Sequence, residues 1–330
     1  MAKNFTVSQS KVKCWRKCRQ AYQFKYVDLL KKRRIKRPFK FGGIVHKMLE
    51  AYANGDDPFD MLKQISFEDA KLFKAEKELY GDIVADIGMI MEEYFDYYPE
   101  NHLIPLRKNK RSAEHPFEIE IEPGLSFKGI IDEVDKTPNG LKWLTDHKTF
   151  TKLPNEDHRW RNIQSSVYLR AIEMMGWWDN IAGTCWNYVK SKPPTRPEIL
   201  KAGGMSEKKI DTLPITVRAT LREHGLKVKS YPKLMKAAED NRSNYFFRIF
   251  TPVTKKVVDN IFDGFIDTAR EVAEYHGTKN DMNIDRHCEY CDYESICRAK
   301  LTGSDHEFVI EREYYKDEKQ PDILEKEIIE

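Results

Sequence analysis

Long apolar runs are missing from this 330-residue chain. No stretch approaches the ~20 apolar residues that cross a bilayer, and none resembles the apolar core of a secretory leader. A cytoplasmic location is therefore expected. The phosphate loop G-x-x-x-x-G-K-[ST] is absent as well, which argues against a built-in ATP motor. Neither an internal repeat nor a low-complexity tract divides the chain. Cysteine is sparse, with six residues, and its placement is uneven.

Cys288, Cys291 and Cys297 form a C-x2-C-x5-C run, Cys14 and Cys18 sit near the opposite end, and Cys185 stands alone. In a reducing compartment clustered cysteines more often bind a metal or a cluster than form disulfides. Three thiolates need one more ligand for a four-sulfur site, which an N-terminal cysteine could supply. Zinc and [4Fe-4S] both accept four thiolates, and spacing does not separate them. Closing such a site would clasp the two chain ends together. Unrelated reduced cysteines are the plainer alternative. Cys185 reads most simply as a buried apolar residue.

The acids supply the second signal. Leu125 to Lys136 and Leu141 to Lys148 are rich in β-branched and aromatic residues, and Thr137-Pro138-Asn139-Gly140 between them has strong turn chemistry. An antiparallel hairpin centred on Asn139 places Asp132 opposite Asp146, with Lys148 on the face of Asp146. Carboxylates across a ladder repel, so the pair calls for a cation. Mg²⁺ or Mn²⁺ suits hard oxygen ligands, and the lysine would orient water. An exposed hairpin whose acids Lys148 neutralises is the alternative.

Several motifs now agree in order. Ser8-Gln9-Ser10 leads to Cys18 with Tyr22 and Tyr26 after it, Gly42-Gly43-Ile44-Val45-His46 has the form G-x-x-x-H, and Gly129-Ile130-Ile131-Asp132 precedes Asp146-His147-Lys148. Gln164-Ser165-Ser166-Val167-Tyr168 has the form Q-x-x-x-Y, and the cysteine triplet closes the series. The chain thereby resembles the RecB-like PD-(D/E)XK nucleases that carry an iron-sulfur cluster: CRISPR-associated RecB-like exonucleases, AddB nuclease domains and phage exonucleases. One position departs, since Arg19 stands where the family usually has proline; the aromatics that follow favour Cys18 over Cys14 as the ligand.

The resemblance implies an α/β fold, a PD-(D/E)XK core of mixed central sheet flanked by helices, with an N-terminal helical region and an Fe-S clasp. It implies a [4Fe-4S] cluster on Cys18, Cys288, Cys291 and Cys297. It implies Mg²⁺ or Mn²⁺ held by His46, Asp132, Asp146 and the backbone carbonyl of His147. Asp132, Asp146 and Lys148 would be catalytic, with Gln164 and Tyr168 supporting the site or the nucleic-acid backbone. The expected activity is exonuclease cleavage of DNA ends, chiefly single-stranded, in phage or bacterial recombination, repair or replication, with proteins of those processes as further partners. A non-cleaving DNA-binding or replication-partner module and a zinc-stapled scaffold are the competing classes.

Charge is asymmetric. The first fifty residues hold fifteen Lys or Arg against Asp28 and Glu50 only, densest at Lys31-Lys32-Arg33-Arg34-Ile35-Lys36-Arg37. With Trp15, Tyr22, Phe24, Tyr26, Phe39 and Phe41 interleaved, this region could grip single strands, or be core plus a solvated loop. From Asp305 the tail is acidic and broken by Pro321, and is expected to fray or to form a loose surface helix.

Coarsely, 1–100 is expected to be a helical region, with helices over Ser8 to Leu30, Gly42 to Ala53 and Glu68 to Tyr98. The nuclease core spans 101–190, with a strand from Pro116 to Ile121 whose Glu118 or Glu120 would be an extra ligand or an acid supporting the ligands. A helix over Asn155 to Met175 and a strand over Ile181 to Lys190 follow. Residues 191–250 read as an inserted helical subdomain, 251–303 as a helix and the cysteine triplet, and 304–330 as the acidic tail.

Overall fold

The computed structural model describes residues 4–34, 36–70, 78–98, 104–105, 113–152, 157–177, 180–277 and 281–318. The hairpin is where local chemistry places it. β5 (Leu125–Lys136) and β6 (Lys142–Phe150) pair antiparallel with Glu133 opposite Thr145 and Lys136 opposite Lys142. Gly140 closes the turn at φ +86°, donating to the Thr137 carbonyl at 2.8 Å; glycine adopts that left-handed conformation at little cost.

Seven strands make one mixed sheet, in the order β1 (Phe5–Ser8), β5, β6, β7 (Ile181–Lys190) and β8 (Phe246–Pro252), with β3 (Ile104–Pro105) and β4 (Ala113–Glu122) also on β5. β1 and β7 pair parallel to β5 and β6. β3, β4 and β8 pair antiparallel. β4 and β3 take one edge of β5. On its other edge, β1 pairs with residues 125–128 and β6 with 133–136. Residues 129–132 are left between, and this gap positions the site.

Helices cover both faces. α1 (Gln9–Lys17), α6 (Ile163–Met175) and α9 (Lys255–Ala273) bury Val12, Val167, Ala171, Phe262 and Phe265 against Phe127 and Ile131. In α9 the buried Val258, Phe262, Phe265, Ala269 and Val272 recur every three or four residues, the period of one helical face. α2 (Arg37–Asn54), α3 (Pro58–Ala70) and α4 (Ile83–Tyr97) bury Ile44, Met48, Ile65, Ile87 and Ile90 with Val189 and Phe246. The short α5 (Asp157–Trp160) precedes α6.

Three expectations need correction. The helix expected over Ser8 to Leu30 begins after a strand: Phe5-Thr6-Val7 is extended and Ser8 caps α1, its Oγ accepting from Lys11 N–H at 3.2 Å. It also breaks at Cys18, where φ −166° and ψ 117° are extended. The helical subdomain does not reach 250. α7 (Pro214–Glu223) and α8 (Pro232–Asn241) share a small core of Val217, Leu221, Leu234 and Ala238, but β8 joins the central sheet. The tail is not loose over its described part. α10 (Glu294–Thr302) leads to α11 (His306–Glu313), and β9 (Tyr314–Lys316) pairs with β2 (Leu30–Lys32). Pro321 and Asp322, Glu325, Glu327 and Glu330 lie outside the described residues.

Candidate metal centre

Two neighbours flank Asp132 across the gap. The β5–β6 ladder stops at Glu133–Thr145, so Asp132 and Asp146 stand where the strands part. The Asp132 carboxylate fills part of the opening by accepting from His147 N–H at 3.1 Å. On the other edge Ala113 pairs with Glu133 and His115 with Ile131, which puts Glu114 across from Asp132. Glu114 is buried with φ +55°. A non-glycine residue there costs about 1–3 kcal/mol, and such strain concentrates at functional sites.

His46, from α2, completes the group. Its Nδ1 is 3.8 Å from Glu114 Oε1 and 3.7 Å from Asp132 Oδ2, and its Nε2 is 2.9 Å from the His147 carbonyl oxygen. His46, Glu114 and Asp132 offer ligand atoms all within 4.8 Å of one another. Carboxylates, a carbonyl and an imidazole form a donor set that Mg²⁺ or Mn²⁺ accepts. Burying two acids this close without a cation would be costly. The donors therefore fit a divalent ion.

Asp146 is buried but lies outside that triad. Lys148 engages it: Nζ donates to Oδ1 at 2.9 Å and lies 2.7 Å from Oδ2. Burial pushes the Asp146 carboxyl up while Lys148 pulls it down. Burial would lower the Lys148 ammonium, but Asp146 and Asp132 outweigh it and the net direction is up. Burial is the larger influence on Asp146, so its net direction is also up, and the two groups face each other across 2.7 Å.

The His147 ring meets the His46 ring edge to face, centroids 5.7 Å apart. Its Nδ1 accepts from Asn187 Nδ2 at 2.9 Å, and Nε2 is 3.7 Å from Glu133 Oε2. Burial holds His147 down to about 4, so the ring is neutral near pH 7, and pushes Glu133 up to about 7. Gln164 and Tyr168 meet the gap from α6. Gln164 hydrogen-bonds Tyr168, and the Tyr168 hydroxyl bonds the backbone of Ile130, inside the stretch that lacks a strand on that edge. Gly129 makes the approach possible, since a Cβ there would lie 2.9 Å from the Tyr168 oxygen and 2.8 Å from the Phe117 ring.

Glu114 is the residue that sequence reasoning missed. A strand begun at Pro116 leaves it in a loop; extending the alternation three residues back and pairing it with β5 would have set it opposite Asp132. Glu118 and Glu120, one of them expected as an extra ligand or a supporting acid, are exposed and accept instead from Thr6 Oγ1 at 3.0 Å and Gly124 N–H at 3.1 Å.

The cysteines gather elsewhere. Cys14, Cys18, Cys291 and Cys297 pack around Ala21, Phe24, Tyr293, Ile296 and Tyr314. Burial pushes Cys14 up to about 12, with Cys18 and Cys291 adding to it. Burial also raises Cys297 to about 11, aided by Cys291, Cys18 and Cys288. Both N-terminal cysteines thus meet the triplet. Cys185 is fully buried. The basic run is largely committed: Lys31 pairs with Asp317 at 3.3 Å, Lys36 with Asp292 at 3.6 Å, and Arg37 with Asp86. Trp15, Tyr22, Phe24 and Phe41 are core, and Phe39 is exposed.

A family model described as the PD-(D/E)XK nuclease superfamily matches residues 6–298. Comparison with curated proteins gives no match. Among solved structures, the chain is similar to one titled "Crystal structure of SSO0001", at 16% identity over 74% of this chain and 85% of that one, with a TM-score of 0.28. No described helix is long and apolar enough to cross a membrane.

Proposed function

The chain belongs to the PD-(D/E)XK nuclease superfamily, and on that premise we propose that it is a metal-dependent DNA exonuclease of the RecB-like branch, cutting at the ends of single strands during phage or bacterial recombination, repair or replication. The observation that carries the reading is the convergence of His46, Glu114 and Asp132 beside the Asp146–Lys148 pair at the gap in the sheet. A structural sheet gains nothing from buried acids in adjacent strands; a metal-assisted phosphodiesterase needs them.

His46, Glu114, Asp132 and the His147 carbonyl would hold Mg²⁺ or Mn²⁺, with Asp146 at its edge. The bound ion supplies Lewis-acid polarisation of the scissile phosphate and stabilises the charge that builds there. Lys148, kept charged by Asp146, orients the attacking water and faces the developing negative charge; as an ammonium it is no base. Gln164 and Tyr168 keep the opened edge of β5 in place. Cys18, Cys288, Cys291 and Cys297 would carry a [4Fe-4S] cluster whose role is to tie the chain ends together.

End-labelled linear and circular single-stranded DNA, incubated with anaerobically purified protein and Mn²⁺, Mg²⁺ or chelator, tests the reading. Loss of linear DNA only, dependent on metal and absent in Lys148→Ala, is expected. Intact DNA under every condition, with the cluster loaded, would replace the enzyme by the non-cleaving binding module. Cys291→Ala should lose visible colour and thermal stability together. A colourless variant as stable as the parent would remove the clasp.

A further inference from the structure

Trp160 ends α5 with 68% of its surface exposed, an indole left in water within a turn tied to the site on both sides. Arg159, just before it, hydrogen-bonds the Tyr188 hydroxyl, and buried Tyr188 lies directly across the β6–β7 ladder from Lys148. After it, Asn162 N–H donates to the Arg159 carbonyl at 3.2 Å, and the Asn162 side chain caps α6 by accepting from Gln164 N–H at 3.1 Å. The turn is thereby anchored beside Lys148 at one end and at the helix of Gln164 and Tyr168 at the other. The Arg161 guanidinium sits 5.6 Å from the indole centroid.

We infer that Trp160 is a stacking platform for an unpaired nucleobase of the strand whose phosphate is presented to Lys148. An aromatic face with guanidinium groups on either side in sequence offers what a single strand presents, π-faces at intervals along a charged backbone. Bases within a duplex are already stacked and offer no free face, so the platform selects single strands without reading sequence. Stacking of this kind contributes through every base type, while Arg159 and Arg161 add only the salt-dependent attraction to phosphate. The inference rests on the nuclease reading above and gives its single-strand preference a residue.

The test compares binding of a fluorescein-labelled oligothymidylate with binding of an abasic strand of equal length, in chelator so that neither is cut. Wild-type protein should hold the base-bearing strand more tightly. Trp160→Ala should weaken that binding by about five- to 150-fold, the range for losing one stacked base, and leave abasic binding and the salt slope unchanged. Trp160→Tyr should regain most of the loss, which a merely structural role would not produce. Unchanged oligothymidylate binding by Trp160→Ala overturns the platform. Equal affinity of the wild type for both strands also overturns it while leaving the nuclease reading intact. Binding of neither strand, with no metal-dependent digestion, overturns both.

Discussion

The acidic site and the cysteine cluster both bring together residues remote in sequence, yet they are held in different ways. His46, Glu114, Asp132 and Asp146 are fixed by three sheet strands and a long helix, with apolar cores packed on both faces. The thiols hang from less regular backbone: the extended residue that ends α1, a single 3-10 turn at Arg286–Tyr290, and α10. What joins the two chain ends there is the three-pair β2–β9 ladder, the stacked rings of Tyr293 and Tyr314, and the Tyr293 hydroxyl donating to the Leu30 carbonyl at 2.8 Å. A frame made from the central sheet keeps its donors in place with nothing bound, whereas a frame made from short pieces leans on its bridge. On the proposed reading, metal should therefore decide activity at the first site and the cluster stability at the second.

The largest effect expected from this contrast is at Glu114. Glu114→Gln keeps the shape and removes one of two charges that crowd the triad. Lewis-acid catalysis contributes several kcal/mol of transition-state stabilisation, so metal-dependent turnover should fall roughly a thousandfold, with weaker Mn²⁺ binding by calorimetry. Melting in chelator should not fall, because a buried repulsion has been relieved. A drop in melting temperature as large as that of Cys291→Ala would erase the distinction between the two regions.

Tyr314→Ala approaches the contrast from the other side. Tyr314 is 1% exposed, stacks on Tyr293, exchanges a hydrogen bond with Ser295 at 3.0 Å and donates to the Asp292 carbonyl. Truncating a buried aromatic costs about 3–5 kcal/mol. That loss should stay local: hydrogen exchange should show residues 30–32 and 314–316 open while β5, β6 and β7 keep their protection. Turnover per folded molecule should be nearly unchanged. Uniform loss of protection would mean that clasp and sheet form one cooperative unit.

Local chemistry made the hairpin legible. Turn residues at 137–140 and a period of two fixed the register, and the register brought Asp132, Asp146 and Lys148 together. His46 and the meeting of the N-terminal cysteines with the triplet were legible through motif order. Glu114 was hidden because its role arises from pairing across β4 and β5 and from a positive φ, neither of which leaves a local pattern. β1, β8 and the β2–β9 pair were missed for the same reason: they are short pieces completed by distant partners. The basic run misled because its countercharges, Asp292 and Asp317, lie at the far end of the chain. Most of its aromatics proved to be core, whereas the exposed indole beside the site, Trp160, carried no motif.

The smallest effect lies behind the metal site and asks how far its frame extends. Asn187 Nδ2 is 2.9 Å from both His147 Nδ1 and the Tyr94 hydroxyl, and Arg248 Nη2 donates to that hydroxyl at 3.2 Å. Through this chain α4, β7 and β8 hold the His147 ring edge-on to His46, 5.7 Å between centroids, while the His147 carbonyl lies 2.9 Å from His46 Nε2. Asn187→Ala leaves a buried ring nitrogen without its donor, at a cost of about 1–3 kcal/mol in thermal unfolding. A residue that only packs would stop there. One that aims the carbonyl should also weaken Mn²⁺ binding, by roughly 10- to 100-fold as outer partners of metal ligands do. Unaltered Mn²⁺ affinity in a destabilised Asn187→Ala protein would confine the frame of the acidic site to β4, β5, β6 and α2, and make the polar network behind it a matter of stability alone.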